Sequence, residues 1–303
     1  MAFVCKLCPR RCGVLRGDEA AGAGRGYCRM GEDVYLARAA LHFDEEPVIS
    51  GVRGSGTVFF SGCALGCVFC QNFPISHDCL GARVKPGGLR GVFENLIAQG
   101  AHNINLVNPT HYVHAILRAL DTPLPVPVVY NSGGYERVET LRALEGKVDV
   151  YLPDLKYMDE GASARYSGAG DYFEYASAAL LEMARQQPKV EIGPDGVIRR
   201  GLIVRHLILP GHTDDSMRVL DWIAQNLPGA WVSLMAQYLP MYRAAEYPKI
   251  NRPVTENEYN RVVDHLMDLG LEEGFLQELS SADEAYIPAF DLTGVPGAES
   301  VEE

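Results

Sequence analysis

The chain has 303 residues, 47% of them hydrophobic and 22% charged, with a formal net charge of −12. That length supports one large core plus an appendage, and no apolar run approaches a membrane span. The acidic balance disfavours non-specific nucleic-acid binding, which needs a basic surface.

Met1-Ala2-Phe3-Val4-Cys5 lacks the charged start and apolar core of a signal peptide. A cytoplasmic location with reduced thiols is expected, where clustered cysteines hold metal more often than disulfides. Residues 1–38 read as a cysteine-rich module. Cys5, Cys8, Cys12 and Cys28 form a CxxC, a third cysteine, a stretch with Gly22, Gly24 and Gly26, and a fourth. Four cysteines make a complete set for zinc or for an iron–sulfur cluster. The module has little apolar material and needs such a staple to fold. An auxiliary redox cluster and a closed folding site both fit. Closed four-cysteine sites are typically structural, which favours the second. Arg10, Arg11, Arg16, Arg25 and Arg29 give the module local positive charge, and Arg10, Arg11, Arg16 and Arg25 could dock an acidic partner surface. Residues 39–56 read as a linker. There His42, Glu45 and Glu46 fit either a pocket mouth or a solvated turn before Pro47.

Thr57-Val58-Phe59-Phe60 reads as a short buried strand. It runs into Ser61-Gly62-Cys63-Ala64-Leu65-Gly66-Cys67-Val68-Phe69-Cys70, so three cysteines stand where a strand ends and a loop begins. Three close thiolates suit an iron–sulfur cluster with one iron left without a protein ligand. Zinc sites instead use CxxC pairs and four ligands. Cys79 stands outside both patterns.

Helical and strand periods then alternate. Leu89 to Ile97 is a helix closed by Gly100, and Ile104–Val107 a strand. A helix begins at Asn108-Pro109. Strands follow at Val126–Tyr130 and Val148–Leu152, with the helix stripe Val138, Leu141, Leu144 between them. Tyr172 to Met183 is helical, and residues 190–198 form a hairpin insertion. Leu202–Leu209 and Trp231–Met235 are the last strands, followed by a helix with the capping box Thr255 to Glu258, closed by Gly270. Six β/α units in series predict an α/β fold, a partial (β/α)6 barrel of parallel strands over residues 57–279. Residues 280–303 read as a loose acidic tail.

In parallel α/β folds the site lies at the carboxyl ends of the strands. There the chain places the cysteine triplet, then Asn108-Pro109-Thr110-His111-Tyr112, Asn131-Ser132-Gly133-Gly134-Tyr135, Asp154-Leu155-Lys156, Pro210-Gly211-His212 and Gln237-Tyr238. His111, His206 and His212 read as satisfied histidines, and Tyr112, Tyr135 and Tyr238 as packing aromatics. Arg205, inside an apolar strand, requires an anionic partner.

The cysteine spacing, with Phe69 before the last thiol, resembles the radical S-adenosylmethionine (SAM) family. The resemblance implies a 4Fe-4S cluster on Cys63, Cys67 and Cys70. It further implies that the open iron chelates SAM, which is cleaved reductively to a 5′-deoxyadenosyl radical that abstracts hydrogen. Asp154-Leu155-Lys156 and Val204-Arg205-His206-Leu207-Ile208-Leu209-Pro210-Gly211 resemble the pyruvate formate-lyase activating enzyme branch. The N-terminal module is not part of that branch's best-known member and points to a side branch.

Carried over by residue, Lys156 and Arg205 border SAM, and Asp154, Asn131 and Ser132 border a monovalent cation. Asn131 stands where the family has aspartate. Gln237 stands where it has a SAM-contacting histidine. The family's Gly-Gly-Glu loop, which binds the SAM amino group, is replaced by Asn108 to His111, with Asn108 or Thr110 as substitute acceptor. The resemblance implies a glycyl radical enzyme partner and a flavodoxin or ferredoxin-type electron donor. Modification of a small molecule or peptide, and a non-catalytic iron–sulfur or zinc protein, are the alternatives.

Overall fold

A computed structural model describes residues 3–16, 26–283 and 287–297. Gly22, Gly24 and Arg25 of the N-terminal module, and the last six residues of the expected tail, lie outside the described residues.

Two short strands, β1 (Phe3–Val4) and β2 (Leu15–Arg16), form an antiparallel hairpin in the module. Among the described residues all other strands join one sheet: β3 (Tyr35–His42), β4 (Ser55–Phe60), β5 (Ala82–Arg83), β6 (Ile104–Val107), β7 (Val128–Ser132), β8 (Val150–Pro153), β9 (Glu191–Ile192), β10 (Ile198–Leu207), β11 (Trp231–Met235) and β12 (Gly274–Leu276). The order β12-β11-β10-β8-β7-β6-β4-β3-β5 is parallel from β12 to β4. β3 runs antiparallel to β4 and β5, and β9 pairs antiparallel with β10 as the expected hairpin insertion. The fold is thus mixed α/β around a mostly parallel sheet.

All six predicted parallel strands are present, and a seventh, β12, extends the sheet beyond β11. Residues 39–56, read as a linker, contain half of β3, a helical turn at Pro47–Ser50 and the start of β4. β3 escapes a periodicity reading because Leu36, Ala37 and Ala39 are all buried, which gives no alternation. The described part of the tail is not loose. Leu292 N–H donates to the Ala37 carbonyl, Ala39 N–H to that of Thr293, and Phe290 packs on Phe59 at 5.5 Å between ring centroids. Two backbone hydrogen bonds and apolar contact hold this segment despite its polar composition.

The core lies between sheet and helices, with Val58, Phe60, Leu106, Tyr130, Tyr151 and Val204 at its centre. On the sheet's other face Ile49, fully buried, packs against Val129, Val150, Leu152, Ile198 and Ile203. The last helix, Glu256–Asp268, carries the predicted capping box: Thr255 accepts from Glu258 N–H and Glu258 answers to Thr255 N–H.

Candidate functional site

The loop after β4 carries Cys63, Cys67 and Cys70, and neighbouring elements fix its path. Gly66 N–H donates to Ser167 O (3.0 Å) and Val68 N–H to Tyr166 O (2.8 Å), both on the helix Glu160–Ser167 after β8. Gly62, at φ +85°, packs against Met30 and stands where an added Cβ would be 2.5 Å from Cys28 O. Only glycine fits there.

Each thiol has a polar contact. Leu65 N–H donates to Cys63 Sγ (3.3 Å), Ser167 Oγ lies 2.9 Å from Cys67 Sγ, and Ser76 Oγ lies 3.2 Å from Cys70 Sγ. Burial raises all three thiol pKa values, Cys70 to about 11, and proximity to Cys67 raises those of Cys63 and Cys70 further. Three adjacent thiolates, Cys67 buried and Cys63 and Cys70 half-buried, are costly without cationic metal, which deprotonates coordinating thiols outright. The donor set therefore fits an iron–sulfur cluster.

Arg205 projects from β10 beside Asp154, its register partner on the next strand. Its Nε donates to Asp154 Oδ1 (3.0 Å), Nη2 to Asn131 Oδ1 (2.6 Å) and Nη1 to Glu45 Oε2 (3.3 Å). Lys156 Nζ takes the other Asp154 oxygen. Burial pushes the Asp154 carboxyl up, but Lys156 and Arg205 outweigh it and hold it below its ordinary range. Lys156 also feels Cys67, which helps keep it charged. The structure thus gathers Asp154, Lys156, Arg205 and Asn131, with Lys156 towards the cysteine loop.

Glu45 enters this network from the turn before Pro47. It accepts from Asn105 (3.2 Å) and Asn131 (3.1 Å). Glu46 is beside Arg205 and Ser233, and burial raises its carboxyl pKa. The turn before Pro47 therefore turns Glu45 and Glu46 towards Asn105, Asn131, Arg205 and Ser233, while Phe43, Asp44 and Pro47 stay exposed.

The loop after β6 serves other partners. Asn108, at φ +60°, donates to Gly62 O and places its own oxygen 3.5 Å from Cys63 Sγ. Thr110 donates to Glu136 Oε1 (2.6 Å). Their first polar commitments are to the cysteine loop and to a buried carboxylate. Asn131 and Ser132 lie on β7 itself, and the Ser132 hydroxyl accepts from Gly134 N–H (3.3 Å). Gln237 is just past β11, and its carbonyl accepts from Gln71 (3.1 Å), next to Cys70.

Glu136 went unread in the sequence. It is 1% exposed, receives Thr110 and Tyr130, and burial raises its pKa to about 7. Its signal was an acidic residue just past the Gly133-Gly134 pair that follows β7. Tyr112, Tyr135 and Tyr238 are packed, each 3% exposed or less. His111, His206 and His212 have internal partners, and burial lowers the pKa of each.

The N-terminal module sits on the strand-end rim. Arg10 Nε donates to Ala64 O (2.8 Å), inside the cysteine loop, and Nη1 to Gly168 O (2.6 Å), while its guanidinium covers Tyr27 at 3.8 Å. Arg16 is 2% exposed. Arg10 and Arg16 are therefore internal braces, not docking cations. A cavity of about 330 Å³ lies where module and loop meet, lined by Tyr27, Arg29, Cys63, Ser76, His77 and Arg243. Among the described residues, no group of three or more His, Cys, Asp or Glu side chains converges as a single metal ion requires. No described helix is long and apolar enough to cross a membrane.

The chain is 33% identical over 271 residues to the uncharacterized protein MJ0674 of Methanocaldococcus jannaschii, covering 86% of this chain and 73% of that protein. It belongs to the MJ0674 family. No protein-family model matches this MJ0674-family chain. Among solved structures it is similar to Streptococcus suis SuiB bound to precursor peptide SuiA, with TM-score 0.51 and 13% identity. That match covers 73% of this chain and 48% of SuiB, so the chain spans about half of SuiB's length. A spore photoproduct lyase variant matches with TM-score 0.50 and 11% identity, covering 79% of this chain and 81% of that one. These neighbours are radical SAM enzymes, and the MJ0674-family chain shares their fold.

Proposed function

We propose that this chain is a radical SAM enzyme. The observation that carries the reading is the gathering of Cys63, Cys67 and Cys70 at the end of β4, with the Lys156–Asp154–Arg205 network at the ends of β8 and β10 and Lys156 within electrostatic reach of Cys67. The three cysteines would hold a 4Fe-4S cluster, which supplies reductive cleavage of bound SAM for hydrogen abstraction from a substrate. Lys156, paired with Asp154 and within reach of Cys67, would meet the SAM carboxylate. Arg205 holds Asp154 and Asn131 in position, and Gln237 borders the cysteine loop. Asn108 and Thr110 remain candidate acceptors for the SAM amino group through their second lone pairs. A monovalent cation beside Asp154, Asn131 and Ser132 belongs to the same reading, although Lys156 and Arg205 already bring positive charge there. Cys5, Cys8, Cys12 and Cys28 would hold the second metal centre.

Within this class we favour an activating role towards a glycyl radical enzyme, with a flavodoxin or ferredoxin-type donor in the cytoplasm. The resemblance of Asp154 to Lys156 and of Val204 to Gly211 supports it. The 330 Å³ cavity is of small-ligand size and favours, as a second reading, a small molecule or a peptide end. The test is anaerobic reconstitution with iron and sulfide, then dithionite and SAM. Methionine and 5′-deoxyadenosine should form in the wild type and not in the Cys63→Ala/Cys67→Ala/Cys70→Ala variant. Undiminished SAM cleavage by the variant rejects the cluster assignment. A glycyl radical signal in a co-purified protein then separates the two substrates.

A further inference from the structure

Three features of the N-terminal module go beyond a folding role. The first is Arg16, a buried guanidinium. It donates to Cys28 Sγ (3.0 Å) and to the His111 carbonyl (2.7 Å), and its Nε has no hydrogen-bond partner. Burial opposes its charge, and Cys28 and Cys5 are the foremost groups favouring it. A buried cation needs an anion, and thiolates are the anions within reach. Four protonated thiols would leave it uncompensated.

The second feature is space. An added Cβ at Gly26 would stand 2.9 Å from Cys12 Sγ and 3.6 Å from Cys28 Sγ. The electrostatic neighbours of Cys5 include Cys12 and Cys28, and those of Cys8 include Cys28 and Cys5. Cys12 and Cys28 therefore border one pocket that Gly26 keeps clear, and Cys5 and Cys8 lie within electrostatic reach of it.

The third feature is position. Cys28 O and Met30 pack on Gly62, next to Cys63, and Arg10 grips Ala64. His111, whose carbonyl accepts from Arg16, bonds through Nε2 to Ser61 O at 2.7 Å. Cys5, Cys8 and Cys28 are buried while Cys12 is exposed. One side of the pocket meets the cysteine loop and the other meets solvent.

We propose that Cys5, Cys8, Cys12 and Cys28 hold a one-electron iron–sulfur cluster, with Arg16 as its buried countercation, seated against the Cys63–Cys70 loop. The inference rests on the proposed radical SAM reading only for the identity of its neighbour. A low-potential one-electron carrier would deliver one electron at the Cys12 side. No bond forms or breaks, and no proton moves, because a guanidinium keeps its protons. Charge and hydrogen bonding at cluster sulfur set the reduction potential, so Arg16 makes this centre easier to reduce.

The full-length Cys63→Ala/Cys67→Ala/Cys70→Ala variant isolates the N-terminal centre, whatever the wild type does with SAM. After anaerobic reconstitution it should retain about four iron and about four sulfide per chain and give a paramagnetic resonance signal on one-electron reduction. Zinc without sulfide, or no signal on reduction, overturns the assignment. Adding Arg16→Met should move the midpoint potential to more negative values; an unmoved potential overturns the role of Arg16. If Arg16→Met does not fold, Arg16→Lys reads the same quantity through loss of the guanidinium fork. In the reduced wild type the two signals should broaden each other. Two independent, unbroadened signals reject the close seating.

Discussion

Arg205 and Asp154 face each other across two parallel strands, with Nε 3.0 Å from Oδ1. The same guanidinium reaches Glu45 and Asn131, so one side chain joins β7, β8, β10 and the turn before Pro47. Arg205→Met leaves two carboxylates short of a buried cation and should cost about 3–5 kcal/mol of stability. Urea unfolding of the purified protein measures it. A loss below about 1 kcal/mol, the range of exposed pairs, would show that the network is solvated.

Ser167 lies 2.9 Å from Cys67 Sγ and 3.0 Å from the Tyr157 hydroxyl. Ser167→Ala removes a hydrogen bond to Cys67 Sγ, a proposed ligand of the proposed cluster, without removing the ligand itself. Iron content should stay at the wild-type value while the midpoint potential of that cluster becomes more negative. Loss of iron instead would mean that Ser167 maintains the loop and does not tune it.

Gly62→Ala drives a methyl group into Met30 and the Cys28 carbonyl, and its φ of +85° adds strain. The module should lift from the loop while the barrel stays folded. Limited proteolysis should then cut before residue 30 many times faster than in the wild type. Equal cutting rates would contradict the contact.

Glu136 gives the protein a pH dependence of definite sign. Burial raises its folded pKa from 4.5 to about 7. The folded state therefore binds the proton more tightly than the unfolded chain, and this contribution is fully present below about pH 4.5 and lost as pH rises through about 7. The shift corresponds to about 3 kcal/mol. Glu136→Gln, which carries no charge, should remove most of the decline in stability between about pH 5 and pH 7.5. Thermal unfolding across that range checks it, and superimposed wild-type and variant profiles would show that Glu136 does not titrate there.

The parts of the fold legible in the sequence are those governed by local pattern. The six strands and the helix stripes at Leu89, Val138, Tyr172 and Val262 have the period of their elements, and the caps at Gly100, Thr255 and Gly270 mark their ends. Arg205 was legible as a paired group because an apolar strand cannot hold it otherwise. What could not be read depends on partners distant in sequence. β3 is defined by β4, and β12 by β11. Glu45 looks like any acidic turn residue until the helical turn at Pro47–Ser50 places it beside Asn105 and Asn131. Arg10 and Arg16 look like surface charge until the carbonyls of Ala64 and His111 turn out to be their targets. Glu136 was hidden because nothing in its own stretch of sequence shows that Thr110 and Tyr130 converge on it.

Ile49 and its neighbours keep the space beside the charged network dry. Apolar side chains from β7, β8 and β10 meet Ile49 with no exposed surface, and the nearby Glu45 carboxylate is already engaged. A charged side chain put in place of Ile49 would meet neither water nor a free counter-ion, so that position tolerates only an apolar residue.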